Sequence, residues 1–267
     1  MKAIIMRFIK PIKITTFVQR LQLAVLSGIL GILAFPPFGL SFTAWIAMVP
    51  LFLAVKGLDL KRAFLLSYLA GIIFFAGILY WLLNVTVPGT IVLVVILALF
   101  YGLFGMLASV VFKYSMELLM LPFFWVVLEY IRANLFTGFP WALLGTSQYM
   151  NINIIQIADM TGAYGVSFLL IAFNAALYSV ITGSKRKISY LMISLIFILM
   201  ATTYGKFRLE MPLRPADAEL SVIQGNIPQS FKWDARRVNM INETYASLTR
   251  QAAEDEPDMV IWPETSY

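Results

Sequence analysis

Neither cysteine nor histidine occurs among the 267 residues. Within this chain that excludes disulfide cross-links, thiolate-bound zinc and acid–base catalysis by imidazole. Charge is scarce as well: Asp, Glu, Lys and Arg make up 13% of the residues, against about a quarter in a soluble domain. No internal repeat or low-complexity tract breaks the chain, and its motifs call for no metal and no cofactor. The net charge of +6 comes without any basic groove or base-stacking pattern, so no nucleic-acid partner is expected.

What remains is apolar: 60% of the residues are hydrophobic and mean hydropathy is +0.83. The excess is blocked. Residues 63–83, 91–112 and 162–182 contain no charge, and each is about 21 residues long, enough to cross roughly 30 Å of hydrocarbon as a helix. Residues 188–204 form a fourth block at the short limit. Residues 21–35, 42–55 and 118–131 are weaker, and the last contains Pro122 and Glu129. Counting all of them predicts a polytopic α-helical membrane domain over residues 1–205 with about seven spans.

Charge placement agrees with that count. With the N-terminus inside, the inner segments hold twelve basic residues, among them Arg20, Lys56, Lys61, Arg62, Lys113 and Lys185, and the outer loops 36–41, 84–90 and 133–161 hold none. This is the positive-inside pattern. The basic start leads into an apolar run with no evident cleavage site, which reads as an uncleaved first span. Pro36-Pro37 ends that span. Glu129 and Arg132, three apart on one helix face, read as an ion pair that lowers the cost of both charges. Gly162 and Gly165 read as a close helix-packing site.

Composition changes near Gly205. Residues 206–267 hold seven basic and ten acidic residues. "AELSVIQ" (218–224) reads as a strand and "GNIPQSFKW" as a loop. Asp234 is placed to cap a helix, and Val238, Ile241, Tyr245, Leu248 and Ala252 form its apolar face. "DMVIW" (258–262) reads as a second strand. A crossover of that length predicts parallel, right-handed pairing, with any site beyond the carboxyl ends of the strands. Gln224, Asn226 and Glu264 fall there.

"VIQGNIPQSFKWD" (222–234) followed by "DMVIWPET" (258–265) resembles the start of the nitrilase-type domain of the apolipoprotein N-acyltransferases. Similar likenesses run through "LAFPPFG" (33–39), "FAGILYW" (75–81), "LEYIRANLFTGFPWALLGTSQY" (128–149) and "IADMTGAYGVSFLL" (157–170). The resemblance implies a membrane domain followed by an αββα sandwich with a Glu-Lys-Cys site, of which one β-α-β unit is present. It implies transfer of an acyl chain from a phospholipid, through a Cys thioester, to the N-terminal amine of a diacylated apolipoprotein. It places the protein in the bacterial inner membrane with residues 206–267 periplasmic. Glu264 takes the place of the family's general base. The family's Lys and Cys lie beyond residue 267, so this chain alone is expected to be inactive, with a poorly stable tail. Weaker assignments go to Trp233 as a wall of the acyl pocket and to Gln224 and Asn226 as residues that orient the backbone. Phe139 and Trp141 are assigned to a lipid gateway, against an ordinary aromatic belt at the interface. A channel or transporter with a small outer appendage, and a non-catalytic membrane remnant, are the alternatives.

Overall fold

The computed structural model describes residues 16–114, 116–212, 218–232 and 234–264, which leaves Trp233 and the basic residues before Thr16 outside the described residues. The chain divides into two compact units, residues 1–211 and 212–267.

The first unit is helical. Helix α1 (Phe17–Leu33) opens on a capping box, in which Thr16 Oγ1 accepts from Gln19 N and the Gln19 side chain accepts from Thr16 N. After a 3-10 turn at Ser41–Trp45 come α2 (Met48–Val55), α3 (Leu60–Ile78), α4 (Val87–Tyr114), α5 (Glu117–Asn134), α6 (Ala158–Ile181) and α7 (Lys187–Leu209). Four of these, α3, α4, α6 and α7, are long and apolar enough to cross a bilayer. They cover the four charge-poor blocks of the sequence. Aromatic side chains of α2, α3 and α4 meet in one core in which Phe52, Phe74, Phe75 and Phe104 are almost fully buried.

The weak block at 42–55 corresponds to only eight residues of α2, about 12 Å of helix, too short to cross. All eight are buried. A short buried helix must find partners for its end groups. Asn174 of α6 accepts from Met48 N at 2.9 Å and donates to Ala44 O at 3.0 Å. At the other end Arg20 of α1 donates to Ala54 O and Lys56 O. Two polar residues from neighbouring helices thus cap α2.

The glycine reading changes. Gly162 has φ +62° and breaks α6 after its first turn, which a side chain would resist. A Cβ on Gly165 would meet Thr161 of its own helix, not a neighbour. The close approach is made instead by Gly145, where a Cβ would lie 2.2 Å from Ala163 O.

The second unit contains β1 (Leu220–Val222), α8 (Val238–Ala252) and β2 (Met259–Ile261). The strands pair in parallel, with Leu220 opposite Met259 and Val222 opposite Ile261. Asp234 accepts from Arg236 N at 3.0 Å and leads through a 3-10 turn into α8. The Arg236 side chain also bonds Asp234, which holds its carboxyl below the usual range. Ile241 and Tyr245 of α8 pack on Ile223 in a small core, with Leu248, Ala252 and Val260 around it. Val238 is exposed, because the chain has only just left the 3-10 turn there.

Candidate functional site

Parallel pairing puts the carboxyl ends of β1 and β2 side by side. The last ladder bond runs from Ile223 N to Ile261 O at 2.9 Å. Immediately beyond it lie Gln224, Gly225 and Asn226 on one strand, and Trp262, Pro263 and Glu264 on the other. Gln224 Nε2 donates to Asn226 Oδ1 at 2.9 Å, and Asn226 sits in the left-handed region with φ +50°. That conformation is one Asn tolerates well. Gly225 leaves room for Tyr245, since a Cβ there would lie 2.8 Å from the ring. Both amides are thus occupied in shaping the turn. Glu264 follows Pro263 and is exposed.

Trp262 belongs to this arrangement in a way the motif did not suggest. Its ring stacks on Tyr245 with centroids 5.1 Å apart and 25° between planes. Its Nε1 donates to Thr249 Oγ1 at 2.9 Å. It therefore fastens the end of β2 to α8, two residues before the carboxylate. Spacing in the sequence could have hinted at this, because Tyr245 and Thr249 are four apart on one helix face.

Phe139 and Trp141 belong to the other compact unit, in the loop between α5 and the 3-10 turn at Leu144–Gln148. Phe139 is partly buried and Trp141 is half exposed. Trp141 lies 5.2 Å from the Trp81 ring and 5.7 Å from that of Phe139, measured between centroids. Phe136, at the tip, is 95% exposed with φ +55°.

The loop is held by the two charged residues that read as an ion pair. Among the described residues they form none with each other. Arg132 instead donates to Phe139 O at 3.1 Å, Trp141 O at 2.7 Å and Ala142 O at 3.3 Å, and its guanidinium lies 5.4 Å from the centre of the Phe75 ring. Glu129 Oε1 accepts from Leu144 N at 2.6 Å. Both side chains are buried, at 5% and 4% exposure. The reason is local. Loop carbonyls and amides packed against apolar helices lie outside the helical hydrogen-bond ladder, so a fixed cation and a fixed carboxylate serve them better than they serve each other. The signal in the sequence was the presence of two charges inside an apolar segment. What they bond could not be read from spacing.

Chemically, the strand-end cluster offers one exposed carboxylate, that of Glu264. It offers no thiol. The loop offers an aromatic surface on a rigid anchor. Among the described residues no group of His, Cys, Asp and Glu is arranged to hold a metal.

The sequence matches the family described as "Apolipoprotein N-acyltransferase N-terminal domain" over residues 27–176. It is 38% identical over 263 residues to the apolipoprotein N-acyltransferase of Geobacter metallireducens, covering 91% of this chain and 50% of that protein. Proteins of the same name from Methylococcus capsulatus and Pasteurella multocida are 30% and 29% identical, over 93% and 91% of this chain and 51% and 50% of theirs. The chain thus spans about half the length of the curated relatives it matches.

Proposed function

Because the chain belongs to the apolipoprotein N-acyltransferase N-terminal domain family, we propose that it forms the membrane part of a lipoprotein N-acyltransferase together with the start of its catalytic domain. The observation that carries the reading is the parallel strand pair, which brings the QGNIPQ turn and Glu264 to one end of a sheet. Glu264 is the general base. It takes the proton of a cysteine thiol, the thiolate attacks the carbonyl carbon of a phospholipid ester, and the carboxyl returns the proton to the departing alkoxide, so that a thioester forms, the lysophospholipid leaves as an alcohol and the carboxylate is restored. In the second half-reaction it deprotonates the amine of a diacylglyceryl-cysteine, which attacks the thioester and frees the thiol. A lysine and backbone amides stabilise each oxyanion. Residues 1–267 contain no cysteine, so they do not carry the thioester themselves.

Two features of the helical unit support a lipid donor. Phe139 and Trp141 form an amphipathic aromatic surface of the kind that lies at the membrane interface, and they are our lipid gateway. An apolar groove of about 700 Å³ lined by Val126, Tyr164, Phe168, Phe197, Met200 and Tyr204 is chemically suited to hydrocarbon. The weaker spans α1, α2 and α5 complete the seven membrane-inserted segments, α2 as a half-span. The site lies on the periplasmic side of the inner membrane in a nitrilase-type fold.

The function is tested by incubating phospholipid with a protein that carries these residues together with the family's lysine and cysteine. An acyl thioester should form and pass to a diacylated lipopeptide, and a polypeptide of residues 1–267 should form none. Acyl transfer by residues 1–267 alone would refute the cysteine route. Orientation has a separate test, which the absence of native cysteine makes clean. Single cysteines replacing Lys61, Lys185 and Ser230 are exposed to a membrane-impermeant thiol reagent in intact spheroplasts. Ser230→Cys should label and the other two should not. Labelling at position 185 would reverse the topology.

A further inference from the structure

The motif "FAGILYW" (75–81) ends α3 and begins the turn to α4. Helix α3 stops at Ile78, where Leu79 N still donates to Phe75 O at 2.9 Å, and a 3-10 turn at Tyr80–Asn84 follows. The tighter turn changes which way the side chains face. Phe75 and Leu79, four apart, are 1% exposed, while Tyr80 and Trp81 are 53% and 39% exposed. Both ends of the motif meet the loop between α5 and α6. The Arg132 guanidinium lies 5.4 Å from the centre of the Phe75 ring, and the Trp81 ring lies 5.2 Å from that of Trp141, with 32° between planes. The α3–α4 turn and the α5–α6 loop are far apart in sequence, and this ring pair joins them at one end of the helical unit.

Trp141 has two kinds of support. Its backbone is held, since Trp141 O accepts from Arg132 at 2.7 Å. Its ring is flanked by Phe139 at 5.7 Å and by Trp81 at 5.2 Å. Both separations fall where ring pairs attract beyond the area they bury. Phe139 belongs to the same loop and moves with it. Among the described ring contacts, Trp81 alone ties the Trp141 indole to another part of the bundle. The two indoles remain 39% and 52% exposed. An indole joins an apolar face to one N–H donor, which suits the level of a bilayer where hydrocarbon gives way to ester carbonyls. We propose that Trp81 is a positioning residue of the lipid gateway: it holds the Trp141 ring in the orientation that receives the ester region of a phospholipid. The inference rests on the acyltransfer reading and adds to the gateway a second wall, from the α3–α4 turn. Without the Trp81 ring, Trp141 turns about its own side-chain bonds, and capture of the lipid weakens while the group that takes the acyl chain is untouched.

Steady-state kinetics in mixed micelles test it, in a protein that carries these residues together with the family's lysine and cysteine. Trp81→Ala should raise KM for phospholipid about 2- to 10-fold, the weight of one ring pair, with kcat near the wild-type value. Lost binding gives that split, whereas a smaller fraction of folded enzyme lowers kcat and leaves KM alone. Trp81→Phe keeps a ring and should recover most of the affinity. Trp81→Leu keeps bulk without a ring and should not, and it replaces Trp81→Ala if that variant fails to fold. Trp141→Ala should raise KM as well, and adding Trp81→Ala to it should change little, because Trp81 acts through Trp141. An unchanged KM in Trp81→Ala, full affinity in Trp81→Leu, or additive effects in the double variant would overturn the proposal. A wild-type protein that forms no thioester would refute the acyltransfer reading instead. The gateway is then read without turnover, by ultraviolet cross-linking of a phospholipid that carries a diazirine beside the ester carbonyl. The yield on residues 139–142 should fall several-fold in Trp81→Ala, and an equal yield would overturn the proposal.

Discussion

Glu264→Gln, in a protein that also carries the family's lysine and cysteine, is expected to lower acyl-thioester formation about 10²–10⁴-fold, the usual weight of a general base. The amide keeps the size and the hydrogen-bonding reach of the side chain. It cannot take a proton from a thiol of ordinary pKa, so the nucleophile stays protonated and slow. Folding should be unaffected, because Glu264 is exposed and the strand end is held by Trp262 on Tyr245 and Thr249. The readout is the fraction of enzyme carrying an acyl mass increment after a timed exposure to phospholipid. Raising the pH should partly restore the variant, since solvent then supplies the thiolate. A variant that acylates at the wild-type rate would remove Glu264 from the role. One that fails to insert would assign it to structure.

Arg132→Leu is expected to cost about 3–5 kcal/mol, because removing one member of a buried charged network leaves the rest unpaired. Three carbonyls lose their donor, and Glu129 is left without a nearby cation. Thermal unfolding in lipid nanodiscs should shift down by many degrees, and amide exchange across residues 139–144 should accelerate. Arg132→Lys should recover only part of this, since an ammonium cannot span three carbonyls as the guanidinium fork does. Glu129→Gln distinguishes charge from hydrogen bonding. Its Oε1 still accepts from Leu144 N, so exchange at Leu144 should stay slow while stability falls. Unchanged exchange in Arg132→Leu would mean that the loop is held by its aromatic contacts alone.

Much of the architecture was legible in the sequence because its causes are local. An uncharged block of about 21 residues must satisfy its own backbone, and a helix is the way one segment can do that in hydrocarbon. The long helices α3, α4, α6 and α7 follow from that alone. The second unit was legible for a related reason. A helical apolar period between two short β-branched runs demands a crossover, and a crossover of that length returns the second strand parallel to the first. The observed register, with Val222 opposite Ile261, meets that demand. The coincidence of Gln224, Asn226 and Glu264 at one end of the sheet is the same statement in residues.

Only the tertiary structure decided where side-chain polarity is spent. Spacing placed Glu129 and Arg132 on one face of α5, and a pair three apart reads as mutually satisfying. In the fold each finds backbone groups of a loop ten or so residues away. Residues 42–55 have the composition of a membrane segment. Their division into a 3-10 turn and an eight-residue helix depends on Asn174 and Arg20, far off in sequence, which cap both ends. Gly162 and Gly165 carried the pattern of a packing site, yet the backbone uses one for a positive φ and the close contact falls to Gly145. Hydrophobic pattern is a property of a segment, so the sequence by itself determined the elements and their order. Hydrogen-bond satisfaction is a property of the assembled neighbourhood, so which buried charge holds which carbonyl was decided by the packing of the folded chain.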